Sequence, residues 1–143
     1  MAMTDIPEVI TPEHITVFIC GSALRGQPDH QNLQAAKFVS EAKTEPIYRL
    51  HAVGNGWHPG IHRVGEGGIS IPGELYAMTP EQYIYLKDNE PPQMYPEEVP
   101  LVGGGAAIAF LYPKAKIDEH GWPDISGYGG WAAYKAATRA EGA

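Results

Sequence analysis

The chain has 143 residues, a length that suits one domain with its own hydrophobic core and leaves little room for a second. It carries 10 lysine and arginine residues against 17 aspartate and glutamate residues, a net charge of −7 with no basic run, which argues against a nucleic-acid partner. No apolar run reaches the roughly 18 residues of a membrane span, and one cysteine excludes an internal disulfide bond. Because residues 1–11 also lack the pattern of a signal peptide, we expect a cytoplasmic protein.

The predicted elements begin after a polar, proline-marked lead-in over residues 1–13, and residues 14–143 are expected to form one domain. Short apolar or alternating runs predict strands over 15–20, 47–53, 69–78, 99–103 and 106–112. Pro72 interrupts one of them, which predicts a bulge or an edge position. The glycine-rich segment 54–68 is typical of a long connector.

One helix has a clear start signal, because Thr79-Pro80-Glu81-Gln82 combines a capping box with proline in the first turn. That helix is expected to run to about Asn89, before the prolines at 91 and 92. Weaker patterns predict a short helix over 31–40 and a last helix that begins near Gly130. Since the strands come in neighbouring runs, the predicted fold class is α+β with a mixed or closed sheet.

Two blocks of sequence resemble the γ-glutamylcyclotransferase-like superfamily. The strand that ends in Cys20-Gly21-Ser22-Ala23-Leu24 is similar to the strand-and-loop signature of that superfamily, and His30 falls in the Gly-x-x-x-His-x-x-Leu stretch of its smaller members. The second block is Gly73-Glu74-Leu75-Tyr76, which is followed by a helix. Glu90 lies 17 residues after Gly73, where the cyclotransferases place their catalytic glutamate.

A closer resemblance, over residues 15–137, is to the C-terminal domain of allophanate hydrolase. It rests on Pro59-Gly60-Ile61-His62-Arg63-Val64, on Glu90-Pro91-Pro92 and on the tail from Asp124 to Tyr134. The resemblance implies a γ-glutamylcyclotransferase-like fold, a small mixed β-barrel-like sheet with flanking helices. It also implies activity on a small nitrogen compound that bears a carboxylate or carbamate. In allophanate hydrolases this domain is linked to decarboxylation of the N-carboxycarbamate that the amidase step leaves.

By this resemblance the loop Gly21-Ser22-Ala23-Leu24 binds the carboxylate of the substrate, and Glu90 and His30 are catalytic. Glycines let successive backbone N–H groups of such a loop converge on one anion. On the predicted helix Glu90 shares an apolar face with Tyr83 and Leu86, an environment that raises the pKa of a carboxyl group and suits a general acid or base.

Four further residues are candidates for binding or chemistry. Tyr128, among glycines before the last helix, is added to the predicted substrate-binding residues. His58 and His62 are four residues apart, but Pro59-Gly60 rules out a helix between them, so we predict neither a metal site nor a cofactor. Cys20 ends a buried strand and is expected to act as a small core residue.

Three functions stay open at this level. The first is decarboxylation or hydrolysis of a small carboxylate or carbamate compound. The second is γ-glutamyl or γ-glutamylamine cyclotransfer that releases 5-oxoproline, although Cys20 and Ala23 depart from the loop of those enzymes. The third is a non-catalytic assembly module for a separate amidase subunit. The expected partners are thus a small carboxylate-bearing molecule and an amidase, without nucleic acid or membrane, and self-association stays open.

Overall fold

Most of the elements follow from local sequence signals. The computed structural model describes residues 14–33, 36–54 and 56–142, and side chains as far as residue 138. The predicted lead-in over residues 1–13 lies outside the described residues. In the described residues the strands are β1 (Ile15–Ile19), β2 (Lys37–Lys43), β3 (Tyr48–Val53), β4 (His58–Arg63), β5 (Pro72–Met78), β6 (Tyr95–Pro100) and β7 (Ala106–Leu111). The helices are α1 (Pro80–Asp88), α2 (Lys114–His120) and α3 (Trp131–Gly142), with 3₁₀ turns at His30–Leu33 and Ser126–Tyr128.

The main sheet has five strands in the order β2-β5-β1-β7-β6, and β3 and β4 form a separate hairpin. Strand β1 lies at the centre of the sheet because its sequence, ITVFI, is apolar on both faces, and four of its five residues are buried. It pairs antiparallel with β5 and parallel with β7, so the sheet is mixed. The predicted binding loop therefore begins at the end of the central strand of the sheet.

The sheet does not close into the predicted barrel, although Thr44, after β2, forms an isolated antiparallel bridge with Leu101, after β6. In the described residues the sheet is open, with β2 and β6 as its two edges. The hairpin of β3 and β4 stands beside it, tied on by contacts such as the hydrogen bond from the Tyr112 N–H to the Ile61 carbonyl at 3.0 Å. The α+β class is confirmed, and the hairpin brings β4 close to the end of β1.

The start of α1 confirms the capping box. The Thr79 hydroxyl accepts a hydrogen bond from the Gln82 N–H at 3.1 Å, and the Gln82 side chain accepts one from the Thr79 N–H at 3.0 Å. The helix ends at Asp88, and Asn89 caps it by donating to the Tyr85 carbonyl at 2.8 Å. Glu90 therefore lies directly after the capped end of α1.

Several predicted elements are wrong. Residues 31–40 were predicted to be helical, but this region holds a 3₁₀ turn that ends at Leu33 and, from Lys37, strand β2, whose charged and polar residues hide its extended conformation. The segment 54–68, predicted as a connector, contains strand β4, which is buried although it includes a proline and a glycine. Strand β6 begins earlier than predicted, at Tyr95, and α2 was not predicted. Pro72 occupies neither a bulge nor an edge, since it begins the inner strand β5, where its missing N–H is tolerated.

The core lies on both sides of the sheet and under the hairpin. Its largest fully buried side chains include Trp131, Tyr48, Phe18, Leu50 and Leu86. The last helix, predicted to begin near Gly130, begins at Trp131, whose side chain is buried in this core. None of the helices formed by the described residues is long and apolar enough to cross a membrane.

Candidate active site

A small cavity lies where β1 ends, between the loop that follows it, the start of β4 and the segment after α1. Its volume is about 30 Å³, which is room for about two water molecules or a similarly small ligand group. Its polar lining comes from the loop Gly21-Ser22-Ala23 and from Cys20, His58 and Glu90. Its apolar lining comes from the side chains of Phe18, Ile19, Pro59, Ile61, Pro91, Met94 and Phe110.

The loop after β1 uses its carbonyl groups internally. The Gly21 carbonyl accepts from the Leu24 N–H at 3.0 Å, and the Ser22 carbonyl accepts from the Asp29 N–H at 2.9 Å. The Ala23 carbonyl accepts from His30 Nδ1 at 2.9 Å. No partner within the described residues occupies the N–H groups of Gly21, Ser22 or Ala23.

This pattern gives the loop a definite polarity. Because the carbonyl oxygens at 21–23 are engaged and the N–H groups are left over, these residues offer a ligand hydrogen-bond donors rather than acceptors. Pro59 presses on the other side of Gly21, where an added Cβ atom would lie 2.4 Å from Pro59 Cγ. Only glycine therefore fits at the first position of the loop in this arrangement.

Glu90 supplies the carboxyl group of the cavity. It lies two residues beyond the end of α1 and is half-buried, and its carboxyl group has no ion pair or side-chain hydrogen bond with any described residue. Burial raises its pKa to about 7, and the negative charge of Asp29 adds to the effect. At neutral pH the group is therefore present in both its acid and its carboxylate form, as a general acid or base requires.

His58 is a cavity residue that sequence reasoning weighed only as a metal ligand. Its ring is buried and donates from Nδ1 to its neighbour's carbonyl, Pro59 O, at 2.9 Å. Burial lowers the pKa of His58, so the neutral ring with a bare Nε2 acceptor is favoured. Strand β4 buries five successive residues without an alternating pattern, so no local signal in the sequence singles out His58.

Cys20 also lines the cavity, but as a neutral thiol. Burial, together with the charge of Glu90, raises its pKa to about 12. Because the thiolate is the reactive form of cysteine, this thiol is a poor nucleophile at neutral pH. The expectation of a small core residue is confirmed by its burial.

The other predicted site residues lie elsewhere. His30 does not line the cavity, and it contacts the loop from behind through the Ala23 carbonyl and packs edge-on against the Tyr76 ring, with ring centroids 6.4 Å apart. Leu24 and Tyr128 both line a second, open groove of about 670 Å³ between β2, β5 and the start of α3. The structure thus brings Glu90 together with Gly21, Ser22 and Ala23, and places His30, Leu24 and Tyr128 outside that cavity.

A hydrogen-bond network that sequence reasoning did not single out holds the far end of the loop. The carboxylate of Glu74, on β5, is 8% exposed as a residue and accepts from the Arg25 N–H at 3.2 Å, Arg25 Nε at 2.8 Å and the Tyr76 hydroxyl at 2.9 Å. The Arg25 guanidinium stacks on the Phe38 ring at 4.2 Å from its centroid. These contacts keep the pKa of Glu74 below its usual range in spite of its burial.

Comparisons with known proteins agree with this fold. The family model described as the allophanate hydrolase C-terminal domain matches residues 15–136. A search of curated proteins finds no match. Among solved structures, the chain is similar to a protein specific to uropathogenic E. coli, with 27% identity and a TM-score of 0.79 over 89% of this chain and 98% of that one.

Two further structures place the fold more widely. Allophanate hydrolase of Kluyveromyces lactis aligns with 27% identity and a TM-score of 0.80 over 87% of this chain, which spans only 21% of that protein. A mouse AIG2-like protein, at 20% identity and a TM-score of 0.59 over 69% of this chain and 77% of that one, shares the fold. The match of the family model covers most of the chain and includes both walls of the cavity. The chain therefore belongs to the family of the allophanate hydrolase C-terminal domain.

Proposed function

We propose that this domain decarboxylates a small carbamate-type carboxylate, with Glu90 as the general acid. The observation that carries the proposal is a carboxyl group with a pKa near 7 in an apolar cavity, beside a loop with unoccupied N–H groups. The N-carboxycarbamate that the family resemblance suggests has two carboxylates on one nitrogen, so it offers both an anion to bind and an atom to protonate.

The chemical step needs one proton. Glu90 donates its proton to the nitrogen of the substrate, and the C–N bond to one carboxylate then breaks. The electron pair of that bond stays on nitrogen, and the carboxylate carbon leaves as CO2. The products are CO2 and carbamate, and Glu90 takes up a proton from solvent before the next cycle. A carboxyl group that is half protonated at neutral pH matches this role.

The walls of the cavity would assist the same step. Because a cavity of about 30 Å³ admits only a small group, one carboxylate of the substrate would enter it and accept hydrogen bonds from the N–H groups of Gly21, Ser22 and Ala23, while the rest of the substrate lies at its mouth. No lysine or arginine is among the described residues that line the cavity. The apolar side chains of Phe18 and Phe110 would strip water from the departing carboxylate, which favours conversion to neutral CO2.

The two histidines near the cavity receive different roles in this proposal. His58 would accept a hydrogen bond from the substrate N–H through Nε2, because its Nδ1 is already bonded to Pro59 O. His30 would be a positioning residue, since its bond to the Ala23 carbonyl holds the loop in the shape that leaves its N–H groups unoccupied. An amidase that acts on allophanate would have to supply the substrate, and such an amidase is the partner that we propose.

The test generates the substrate in place. Allophanate labelled with ¹³C is mixed with an allophanate amidase, and CO2 release is followed by mass spectrometry with and without this chain. We expect the chain to accelerate CO2 release, and Glu90→Gln to reduce that acceleration by about 100-fold or more. Asp88→Asn, which removes an exposed carboxylate just before Glu90, is the matched control and should behave as wild type.

Other outcomes contradict the proposal. Equal rates for wild type and Glu90→Gln would exclude general acid catalysis by this residue. Release of 5-oxoproline from γ-glutamyl dipeptides, lost in Glu90→Gln, would replace decarboxylation by cyclotransfer. Stable co-elution with the amidase and no effect of Glu90→Gln on any turnover would identify an assembly module instead.

A further inference from the structure

A second cluster of titratable side chains lies on the β3–β4 hairpin and takes no part in the proposed reaction. The Nε2 atoms of His51 and His62 are 3.3 Å apart, and their ring centroids are 5.2 Å apart. The two residues are diagonal neighbours on one face of the hairpin, because His51 pairs with Gly60 and His62 lies two residues further along β4.

The hydrogen bonds of the two Nδ1 atoms determine which Nε2 atom carries a proton and which carries a lone pair. His51 Nδ1 donates to the Trp122 carbonyl at 3.1 Å, so Nε2 of a neutral His51 carries a lone pair. His62 is 7% exposed, and its Nδ1 has no hydrogen-bond partner within the described residues. In the metal-free protein the Nε2–H of His62 therefore donates to the lone pair of His51 Nε2.

A metal ion that displaces the Nε2 proton of His62, which then moves to Nδ1, would find a lone pair on each Nε2 atom, with the two nitrogens 3.3 Å apart. Two nitrogen ligands of a tetrahedral Zn²⁺, each at its usual bond length, lie about 3.3–3.4 Å apart. The bond from His51 Nδ1 to a backbone carbonyl is the support that a metal-binding imidazole ordinarily has. We propose that His51 and His62 chelate a divalent transition-metal ion of the zinc class through their Nε2 atoms.

The surroundings complete the site on its open side. Asp124 Oδ2 lies 3.9 Å from His51 Nε2, and the Asp124 carboxylate is held by Arg49 Nε at 3.0 Å and the Ser126 N–H at 2.8 Å. No group of three histidine, cysteine, aspartate or glutamate side chains in the described part of the chain encloses a metal on its own. The two imidazoles are therefore the protein ligands, water fills the remaining positions, and Asp124 accepts a hydrogen bond from that water.

Nearby charges leave room for a cation. The charge of Lys114, which reaches His62, is offset by Asp118 in an ion pair at 2.7 Å, and Arg49 is bound to Asp124. The side chain of His51 is 13% exposed and that of Asp124 is 37% exposed, so an ion reaches the pair from solvent. Imidazole nitrogen is a ligand that Zn²⁺, Ni²⁺ and Cu²⁺ prefer over Mg²⁺ or Ca²⁺.

The experiment titrates the full chain, freed of metal by chelation, with Zn²⁺ by calorimetry and with Co²⁺ by visible absorption. We expect one site for wild type, with the intense d–d bands of tetrahedral Co²⁺, and a rise of the melting temperature with Zn²⁺. His62→Gln and His51→Gln should each weaken binding at least about tenfold. Mg²⁺ should neither bind nor compete.

His120→Gln removes an exposed imidazole that lies outside the proposed pair and is the matched control, expected to bind metal as wild type does. His51→Gln lies at the more exposed ring and keeps the test decisive if the buried His62→Gln does not fold. Wild-type chain that binds no Zn²⁺, or binding that survives His51→Gln, would overturn the proposal. Equal loss in His120→Gln would assign the metal to surface histidines instead.

Discussion

The ring of Pro59 occupies the space that a side chain on Gly21 would need, since a Cβ atom on residue 21 would meet Pro59 Cγ at 2.4 Å and Cδ at 2.6 Å. This contact joins the loop after β1 to the start of β4. Because Pro59 follows His58 directly, the same contact sets the distance between the loop amides and the imidazole of the cavity. The two walls of the candidate site are thus positioned by one close packing contact.

Substitution of Gly21 tests that contact. Gly21→Ala should lower the free energy of unfolding by about 1–3 kcal/mol, because a rigid proline ring cannot move aside. It should also reduce decarboxylation, since the loop shifts. The control is Gly26→Ala in the same loop, where no atom lies within 4 Å and φ is +82°, so only backbone strain of about 1 kcal/mol applies. Urea unfolding and the rate assay measure both, and equal loss of rate would contradict the role of Pro59.

The stability of the protein should depend on Glu90. Its pKa is raised from 4.5 to about 7 on folding, so the folded state holds the proton more tightly between these values. The free energy of unfolding contributed by this group therefore falls as pH rises from about 4.5 to 7, by up to about 3 kcal/mol. Glu90→Gln should remove this fall and be the more stable protein at pH 8. Urea denaturation from pH 5 to pH 8 measures it, and parallel curves for both proteins would contradict the raised pKa.

The pH–rate profile should report the same group. If Glu90 acts as the acid, the rate constant for substrate bound to the enzyme is constant below about pH 7 and falls about tenfold per unit above it. The residual rate of Glu90→Gln should lack this limb. A rate that instead rises through pH 7 would indicate a general base. Initial rates of CO2 release over pH 5.5–9, corrected for the uncatalysed reaction, distinguish these outcomes.

The thiol of Cys20 should be unreactive in the native protein. Its pKa of about 12 leaves almost no thiolate at pH 8, and the side chain is buried. A colorimetric disulfide reagent should label the folded chain at least 100-fold more slowly than the chain in denaturant, which is an order-of-magnitude estimate from burial and thiolate fraction. Rapid labelling of the folded chain, with retained circular dichroism, would show an accessible thiolate.

The buried carboxylate of Glu74 should contribute more to the free energy of unfolding than the exposed carboxylate of Glu41 does. Glu74→Ala removes a buried acceptor and leaves the Tyr76 hydroxyl without its partner, which should cost about 2–4 kcal/mol. Glu74→Gln keeps the shape and one acceptor, so its loss should be smaller. Glu41→Ala, whose carboxylate is 81% exposed and 3.6 Å from Arg25 Nη2, is the control and should unfold close to wild type. Equal losses for Glu74→Ala and Glu41→Ala in urea would contradict the network.

Elements with strong local signals were predictable. The run ITVFI could only be a buried strand, and the capping box of Thr79 and Gln82 defined the start of α1. The spacing from Gly73 to Glu90 and the turn at Gly21 pointed to the residues that line the cavity. The signals of β1, of the capping box and of the turn lie within a few residues of the chain, where hydrogen bonds and side-chain periodicity act directly. The 17-residue spacing from Gly73 to Glu90 is instead part of the family resemblance.

The sequence did not predict the elements whose residues are untypical of their secondary structure. The strand β2, KFVSEAK, mixes apolar and polar residues and is exposed on both faces, so its extended conformation comes from pairing with β5 rather than from its own pattern. The strand β4 contains proline and glycine, and it is a strand because β3 and Tyr112 pack against it. Such elements take their conformation from distant partners, which no short window of sequence contains.

The amino acids along the chain were enough to name the loop, the glutamate and the family, because these depend on local residue types and their spacing. Which side chains meet depended on the folded arrangement. It joined His58 to Glu90 at the cavity, paired His62 with His51 rather than with His58, and separated Tyr128 from the cavity. These neighbours come from the register of the β3–β4 hairpin and its docking on the sheet. That register is chosen by the burial of the whole core, a sum over residues far apart in the chain.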